Sequence, residues 1–445
     1  MTTTPAAPRL KDRERTAILQ SLRAGVVPRI GLQHIQVGRK AEVAALLRDL
    51  DLAKEGGAAV RFITGRYGAG KSFFLNLVST VALEKGFLVA RADVTLDRRL
   101  HGTGGQARAL FAELMRNLAS KARPDGNALG GVVERWISGV VQEVTAAGGD
   151  DARVEFEIAT RLRPLQDLVS GFDFAAVLAR YFRAHQAGDS ATQQNATRWL
   201  RAEYGTKTEA RTDLGVRSII DDASVYDYLK LFAKFARIAG YSGLVVCVDE
   251  LAVLSHRLPS ARARSVNYEQ LLRILNDALQ GSLEGTIFLF GATDEALEDR
   301  RRGLYSYEAL ATRLAPNEFA RGDVRDLAGP VIRLQNLTPE DLYVLLHRIR
   351  DVFACGDPAK YLLPDEGLKL YIDYCARTLG DGYFKTPRDT VTRFVGLMNL
   401  IEQDPSHDWR ASLGQVNHVQ VAPATSAEAP GASVEEDDDL ASFKL

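Results

Sequence analysis

The sequence has 445 residues, which is too long for one typical domain and predicts two or three domains. Hydrophobic residues make up 46% and charged residues 25% of the chain, as in globular proteins with a sizeable core. The formal net charge of −1 excludes a polycation, but residues 421–445 contain six acidic side chains and one lysine. The rest of the chain is therefore mildly basic, which neither requires nor excludes binding to nucleic acid.

Cysteine spacing and apolar runs exclude several classes of protein. Cys247, Cys355 and Cys375 share no metal-ligand spacing and are too few for a disulfide framework, so we expect reduced thiols in buried positions. Residues 1–8 are polar and lack the apolar core of a secretion signal. The longest apolar runs have the length of a strand and are too short to span a membrane. These observations predict a cytoplasmic protein without a membrane segment.

The first part of the chain reads as two helices followed by a βαβ unit. Helices are predicted at residues 13–23 and from about 38 to 53, where apolar residues recur at helical spacing. A strand at 59–64, a glycine-rich turn, a helix at 73–83 and a strand at 87–92 follow. This order is typical of a parallel α/β sheet. Further strands are predicted at residues 244–248, 286–290 and 331–334.

Two long stretches of the chain are helical in pattern. The first lies between the second and third strands and contains predicted helices at residues 107–119, 132–144, 174–185, 191–204 and 225–239. The second follows the last strand and opens at Thr338, a helix-capping residue followed by Pro339 and two acids. Its predicted helices are at residues 341–353, 365–379 and 387–401.

The glycine-rich turn carries the most specific motif. Residues 65–72 match G-x-x-x-x-G-K-[ST], the Walker A motif, at every fixed position and lie between a predicted strand and a predicted helix. Backbone N–H groups of such a turn face phosphates, Lys71 reaches the β- and γ-phosphates, and the Ser72 hydroxyl ligates Mg²⁺. A chance match is the alternative, and the strand–helix context disfavours it. The residues expected to bind the nucleotide are Gly65, Arg66, Tyr67, Gly68, Ala69, Gly70, Lys71, Ser72 and Phe73.

Two further strands end in polar residues. The strand at 244–248 leads into Asp249, expected to bind the nucleotide's Mg²⁺ through water, and Glu250, expected to polarise the attacking water. An apolar run ending in Asp-Glu is common, but together with the phosphate loop it predicts ATP hydrolysis. The strand at 286–290 is followed by Thr293 and Asp294. Because strand ends line the ligand crevice, Thr293 (or Asp294) is expected near the γ-phosphate or the attacking water, with a helix-capping turn as an equal alternative.

These motifs together resemble the AAA+ ATPases. Val37, Gly38 and Arg39, with Glu42 following, resemble the segment before Walker A in the origin-recognition and STAND branches of that superfamily. More closely, residues 15–405 resemble the P-loop ATPases of bacteriophage-exclusion (BREX) loci, the BrxC/BrxD family. The segments that carry this closer resemblance are SLRAGVVP at 21–28, the Walker A turn extended by Phe-Phe-Leu at 65–75, GYSGL at 240–244 before Asp249 and Glu250, and YSYEAL at 305–310.

The resemblance implies an α/β fold, a P-loop NTPase (AAA+-like) parallel sheet flanked by helices, with a large helical insertion and an all-α C-terminal lid domain. Together with the helical pattern and composition of the chain, it divides the sequence into an N-terminal lead and helix (1–36), an ATPase domain (37–336) with the insertion at about 100–240, a lid domain (337–410) and a disordered acidic tail (411–445). Arg313 stands where AAA+ proteins carry an arginine finger, and Arg388 resembles sensor 2; ordinary surface arginines are the alternative. The long insertion departs from a minimal AAA+ core and puts a simple hexamer in doubt.

The function implied is a regulatory or remodelling ATPase of a phage-defence or DNA-processing system. Such a protein binds ATP and Mg²⁺, forms a homo-oligomer and acts with a helicase or DNA-modification partner. The alternatives are a STAND-type nucleotide switch that toggles oligomerisation, and a helicase loader or DNA-binding adaptor with slow turnover. Direct DNA binding stays open, because two basic clusters lie near strand ends, although acids interleave with one of them and solvated loop charges are the simpler interpretation. These clusters are Arg300, Arg301 and Arg302, and Arg257, Arg262 and Arg264.

Overall fold

The computed structural model describes residues 10–320, 325–379 and 387–414. Within these ranges five parallel strands form one sheet: β1 (Ala58–Thr64), β2 (Leu88–Asp93), β3 (Leu244–Asp249), β4 (Thr286–Ala292) and β5 (Val331–Arg333). Their order across the sheet is β5-β1-β4-β3-β2. The predicted parallel sheet is therefore confirmed, and helices flank it as in the fold of P-loop NTPases.

Eighteen α-helices lie within the described residues. They are α1 (Asp12–Arg23), α2 (Leu32–Ile35), α3 (Lys40–Lys54), α4 (Lys71–Glu84), α5 (Gln106–Arg116), α6 (Leu129–Ala146), α7 (Asp151–Gln166), α8 (Gly171–Gln186), α9 (Ser190–Leu200), α10 (Lys207–Leu214), α11 (Val225–Ile238), α12 (Ala261–Leu279), α13 (Asp294–Glu298), α14 (Glu308–Leu314), α15 (Pro339–Phe353), α16 (Asp365–Leu379), α17 (Pro387–Gln403) and α18 (Trp409–Gly414). A π-helical turn spans Val253–Arg257, and 3₁₀ turns span Leu304–Ser306 and Pro358–Lys360.

The interior strand β3 shows how the sheet forms a core on both faces. Val246 and Val248 point into one hydrophobic cluster, while Val245 and Cys247 point into another. Because successive side chains alternate between the faces, a strand covered on both sides is apolar along its whole length. Cys247 and Cys375 are buried, whereas Cys355, expected in a buried position, is only partly buried.

The helical insertion packs on one face of the sheet and shares its core. Side chains of α5 to α11 belong to the same hydrophobic cluster as strand residues such as Phe62 and Val246. An aromatic group joins the insertion helices, with the rings of Trp136 and Phe235 5.3 Å apart and edge to face. Helices α3 and α4 cover the other face. The five helices predicted here are present, and α7 and α10 were not predicted.

The N-terminal helices α1 and α2 pack against the C-terminal helices. Ile18 of α1 and Ile35 of α2 lie in one hydrophobic cluster with Leu346 and Phe394 of α15 and α17. The Thr392 hydroxyl donates a hydrogen bond to the Leu22 carbonyl at 3.1 Å. Of the predicted acidic tail, only residues 411–414 are described, and they end α18; residues 415–445 lie outside the described residues. No helix in the described ranges combines the length and apolar composition that crossing a bilayer requires.

Candidate active site

The Walker A turn joins β1 to the N-terminus of α4. Gly70 directly precedes this helix with a φ of 86°, in the left-handed region that favours glycine. No atom lies within 4 Å of the position a Cβ would take at Gly70. The backbone is therefore open there, and the unpaired N–H groups of the first helical turn face an accessible space, which is the arrangement that binds phosphate groups.

Lys71 and Ser72 are both held at the start of α4. The Lys71 ammonium donates hydrogen bonds to the carbonyl oxygens of Gly65 and Arg66, each at 3.0 Å. Partial burial lowers the pKa of Lys71, while the Asp249 carboxylate acts in the opposite direction. The Ser72 hydroxyl donates to Asp249 Oδ2 at 2.7 Å, so the end of β3 is tied to the start of α4.

The Asp249 carboxylate is fixed from three sides. One oxygen accepts the bond from Ser72, and the other accepts a bond from the Glu250 backbone N–H at 2.8 Å. On the third side lies Gly291 of β4, where a Cβ would fall 2.0 Å from Asp249 Oδ1. Only glycine leaves room for the carboxylate at this position. The sheet thus builds the site from three neighbouring elements, α4, β3 and β4.

A third carboxylate, Asp93, joins this site and was not predicted. It ends β2 as Asp249 ends β3, and the two residues are partners in the register of these strands. Desolvation, followed by the charge of Asp249, raises the pKa of Asp93. Desolvation, followed by the charges of Asp249 and Asp93, raises the pKa of Glu250. The signal was present in the sequence, because an aspartate follows the second predicted strand as one follows the third.

A cavity of about 540 Å³ opens beside the Walker A turn. Lys71, Ser72, Asp93 and Glu250 form its polar side. Its opposite wall is apolar and comes from the segment after α1, the region around α2, and α17, with side chains such as those of Val26, Pro28, Ile35, Val37 and Val391. A cavity of this size, mostly apolar and with a few convergent polar groups, is typical of small-molecule sites.

Comparison with known proteins identifies the family of the chain that carries this site. The model of the family described as BREX system ATP-binding protein BrxC/D matches residues 10–417. The chain belongs to the BrxC/BrxD family. The resemblance seen in the motifs is thereby confirmed, and the protein is an ATP-binding protein of a BREX system. No curated protein matches the chain.

In this BrxC/BrxD protein, Arg39 forms a hydrogen bond with the backbone of the Walker A turn. Its guanidinium donates to the Ala69 carbonyl at 3.1 Å. Burial lowers the pKa of Arg39, and Glu42 opposes that change. Glu42 is itself only 1% exposed and accepts a 2.8 Å bond from Arg325. The sequence pointed to this segment through resemblance alone, and the hydrogen bond to the loop was not predicted.

Arg388 reaches the same loop from the C-terminal helices of the BrxC/BrxD chain. Its Nη1 donates to the Tyr67 hydroxyl at 2.8 Å, and its guanidinium lies 5.8 Å from the centre of the Tyr67 ring. Its Nε would be 2.8 Å from a Cβ at Gly25, so Arg388 lies between the Walker A turn and the segment after α1. Arg388 therefore lines the cavity although more than 300 residues separate it from Tyr67.

Thr293 and Arg313 are not brought into this cavity by the described residues. The Thr293 hydroxyl accepts a bond from the Ala296 N–H at 3.1 Å and caps α13, which is the alternative that the sequence left open. Arg313 is exposed on α14, and its guanidinium donates to Asn276 Oδ1 at 2.9 Å and to the Ala309 carbonyl at 3.0 Å. Neither side chain contacts the Walker A turn in this arrangement.

Proposed function

We propose that this BrxC/BrxD protein hydrolyses ATP, with Mg²⁺ as cofactor, in the cavity beside the Walker A turn. The observation that carries the proposal is the 2.7 Å contact between the Ser72 hydroxyl and the Asp249 carboxylate, with Glu250 next in the chain. It joins a phosphate-binding loop to a pair of carboxylates, which is the minimum that metal-assisted phosphoryl transfer requires.

The side chains of Ser72 and Asp249 fit a magnesium ion by their chemistry. Both offer oxygen atoms, the donors that Mg²⁺ prefers, and they already lie within hydrogen-bonding distance of each other. When bound with ATP, Mg²⁺ neutralises charge that develops on the phosphate oxygens. Lys71 would bind the β- and γ-phosphates after releasing the carbonyls of Gly65 and Arg66.

Glu250 is proposed to orient and polarise the attacking water. Its φ of 62° places a non-glycine residue in the left-handed region, which fixes the direction in which the side chain leaves the strand end. Burial and the neighbouring carboxylates raise its pKa, and a raised pKa makes a carboxylate a stronger base. Asp93, across the cavity edge from Asp249, strengthens this effect.

The other proposed catalytic groups are arginines and a threonine suggested by the AAA+ resemblance. Arg388 would reach the γ-phosphate from a lid formed by residues 337–410, which is supported by its contact with Tyr67. Arg313 would act in the site of a neighbouring copy in a homo-oligomer, since it is exposed on α14 and does not line the cavity of its own chain. Thr293 would reach the attacking water only after its hydroxyl leaves the cap of α13.

For the cellular role we propose a cytoplasmic regulatory or remodelling ATPase that acts with a helicase or DNA-modification partner. The ATPase domain would span residues 37–336, with the insertion at about 100–240. A nucleotide switch is a second candidate, and one observation favours it. The Arg388–Tyr67 contact joins the C-terminal helices to the phosphate loop, so a bound nucleotide that displaces Arg388 would change how these parts of the chain meet.

Paired substitutions in the Walker motifs test hydrolysis directly. Lys71→Ala is expected to abolish ATP binding, because the phosphate site loses its charge. Glu250→Gln is expected to keep ATP binding and stop phosphate release, because it retains the shape and loses the carboxylate that polarises water. Nucleotide affinity and phosphate release are measured for each variant. Glu203→Gln, at an exposed position of the insertion, is the matched control and should behave like the parent. Turnover of Glu250→Gln at the parental rate contradicts the catalytic assignment.

A further inference from the structure

The segments that carry the two arginine clusters, separate in the sequence, are joined in the structure by a hydrogen bond between α12 and the loop after β4. The Tyr268 hydroxyl on α12 donates a hydrogen bond to the Arg302 carbonyl. Arg264, one turn before Tyr268 on the same helix, lies close enough for its charge to act on the Tyr268 hydroxyl. The loop after β4 is thus attached to the first half of α12. We call the side chains gathered here the arginine surface: Arg257, Arg262, Arg264, Arg300, Arg301 and Arg302.

The turn that carries Arg300, Arg301 and Arg302 is rigidly built. Asp299 Oδ1 accepts hydrogen bonds from the backbone N–H groups of Arg301 at 2.7 Å and Arg302 at 3.3 Å. A Cβ at Gly303 would lie 2.7 Å from the Asp299 carbonyl oxygen, so the turn closes tightly at a glycine. These contacts fix the backbone, and the three arginine side chains project from a preorganised turn.

The acids that interleave with this cluster in the sequence have other partners. The Asp299 carboxylate binds backbone N–H groups, and Glu298 pairs with Arg333 of β5. Of the three nearby acids, Glu295 alone has no such role in the described residues. Glu298 and Asp299 interleave with the arginines in the sequence, but neither forms an ion pair with Arg300, Arg301 or Arg302.

The exposed members of the arginine surface differ from the paired arginines of the insertion in that they form no ion pair. On the insertion, Arg161, Arg183 and Arg198 each pair with a glutamate at 2.6–2.9 Å. The five exposed members of the arginine surface form no ion pair with any carboxylate of residues 10–320, 325–379 and 387–414. These five are Arg257, Arg262, Arg300, Arg301 and Arg302.

The arginine surface also lies next to the candidate active site. Arg257 ends the π-helical turn Val253–Arg257, which begins three residues after Glu250. The charge of Arg257 opposes the increase that burial causes in the pKa of Glu250, so the two groups are within electrostatic reach. π-Helical turns are rare and occur often at functional sites. A ligand on the arginine surface would therefore lie beside the strand that carries the proposed catalytic carboxylate.

We propose that the arginine surface binds the phosphate backbone of DNA. A guanidinium group can donate two parallel hydrogen bonds to the oxygens of one phosphate. Several exposed arginines without ion pairs, clustered on one surface, are typical of proteins that bind nucleic acid. Contacts with phosphate groups carry no sequence information, so binding through them is expected to be independent of sequence. The proposal does not depend on ATP hydrolysis.

The test is the salt dependence of DNA binding by the full chain. Fluorescence anisotropy is recorded with two labelled duplexes of unrelated sequence over a series of salt concentrations. The triple variant Arg300→Gln, Arg301→Gln, Arg302→Gln is expected to bind both duplexes more weakly. Its slope of log affinity against log salt should decrease by about 2–3, since each phosphate contact contributes about 0.9. The parent is expected to bind the two duplexes with equal affinity.

A second triple variant controls for net charge. Arg163, Arg211 and Arg217 are exposed on or near the insertion helices and form no ion pair within the described part of the chain. Their replacement by glutamine changes the net charge equally and should preserve both affinity and slope. The proposal is overturned if the parent binds neither duplex at low salt, if the first variant binds like the parent, or if the control loses as much affinity. It is also overturned if the first variant keeps the parental affinity for DNA and changes only the oligomeric state measured by analytical ultracentrifugation. That result would show that the arginine surface forms a contact between copies of this chain. ATP binding, measured on the same samples, reports separately on the proposed function.

Discussion

At the scale of single residues, partial desolvation and neighbouring negative charge set the chemistry of Glu250. Desolvation raises the pKa of Glu250 most, the charges of Asp249 and Asp93 add to the increase, and Lys71 opposes it. The left-handed backbone at Glu250 costs about 1–3 kcal/mol, and it is retained because its N–H is bound by the Asp249 carboxylate. A strained residue held in this way at a strand end is typical of an active site.

The charge of Asp93 predicts a shift in the pH dependence of turnover. If Glu250 must be ionised to polarise water, kcat/KM for ATP falls as pH decreases through the pKa of Glu250 in the free protein. Asp93→Asn removes a charge that raises this pKa, so the acidic limb of the profile should move to lower pH. The profile is measured for the parent, for Asp93→Asn and for the control Asp97→Asn, an exposed residue of the following loop. An acidic limb that stays in place in Asp93→Asn would show that Asp93 does not act on the catalytic group.

At the scale of elements, the register between β3 and β4 places a glycine against the metal-binding carboxylate. Val248 pairs with Phe290, so the next residues along, Asp249 and Gly291, meet at the sheet edge. Gly291→Ala should displace the Asp249 carboxylate and break its bond to Ser72. We expect a stability loss of about 1–3 kcal/mol from overpacking, and a larger relative loss in Mg²⁺-dependent than in Mg²⁺-free nucleotide affinity.

A glycine with open surroundings provides the matched control for Gly291→Ala. Gly139 lies within α6, and no atom is within 4 Å of the position of its Cβ. Gly139→Ala should therefore stabilise the protein by about 0.5–1 kcal/mol and leave nucleotide affinity unchanged. Denaturant unfolding and nucleotide titrations with and without Mg²⁺ measure both effects. Equal affinity of Gly291→Ala and the parent in the presence of Mg²⁺ would exclude Asp249 from the metal site.

Strands were predictable from sequence to within about two residues, because buried parallel strands have continuous apolar runs. The Walker A turn was predictable because its residues obey a local rule of spacing. α7 was missed although Val154, Ile158 and Leu162 recur at helical spacing and are buried. Its flanking glycines and Pro164, inside its last turn, indicated a break instead. The sequence left the role of Thr293 open, because a hydroxyl just after a strand can either contact the nucleotide or cap the next helix.

At the scale of the whole molecule, the cavity lies where two hydrophobic cores meet. The Walker A turn is anchored in the sheet, whereas α1 and α17, which flank the opposite wall, belong to a core formed by both ends of the described chain. This pairing was not predictable from sequence, because amphipathic helices show which face is buried and not which partner covers it. The contact of Arg388 with Tyr67 was not predictable either, because the sequence does not show that α17 packs beside the Walker A turn.

Ile18 tests whether the N-terminal helix supports the nucleotide site. Ile18 has 0% exposure in the second core, and its Cδ1 would lie only 2.6 Å from a Cβ at Gly31, so the packing is tight. Ile18→Ala should lower the free energy of unfolding by about 2–5 kcal/mol. Because α1 leads directly into the cavity wall at Leu22 and Val26, nucleotide affinity should fall as well.

The control for Ile18→Ala is Val344→Ala, a shortening of an apolar side chain on α15 that is 41% exposed. It should change stability by no more than about 0.5 kcal/mol and leave the affinity for ATP unaltered. Denaturant unfolding and nucleotide titration are carried out on both variants, at a temperature where each is folded. Hydrogen exchange of peptides from α1, α15 and α17 should slow when nucleotide is added to the parent, since a ligand in the cavity contacts both cores. An Ile18→Ala protein that is destabilised yet binds ATP with parental affinity would show that the sheet alone holds the nucleotide.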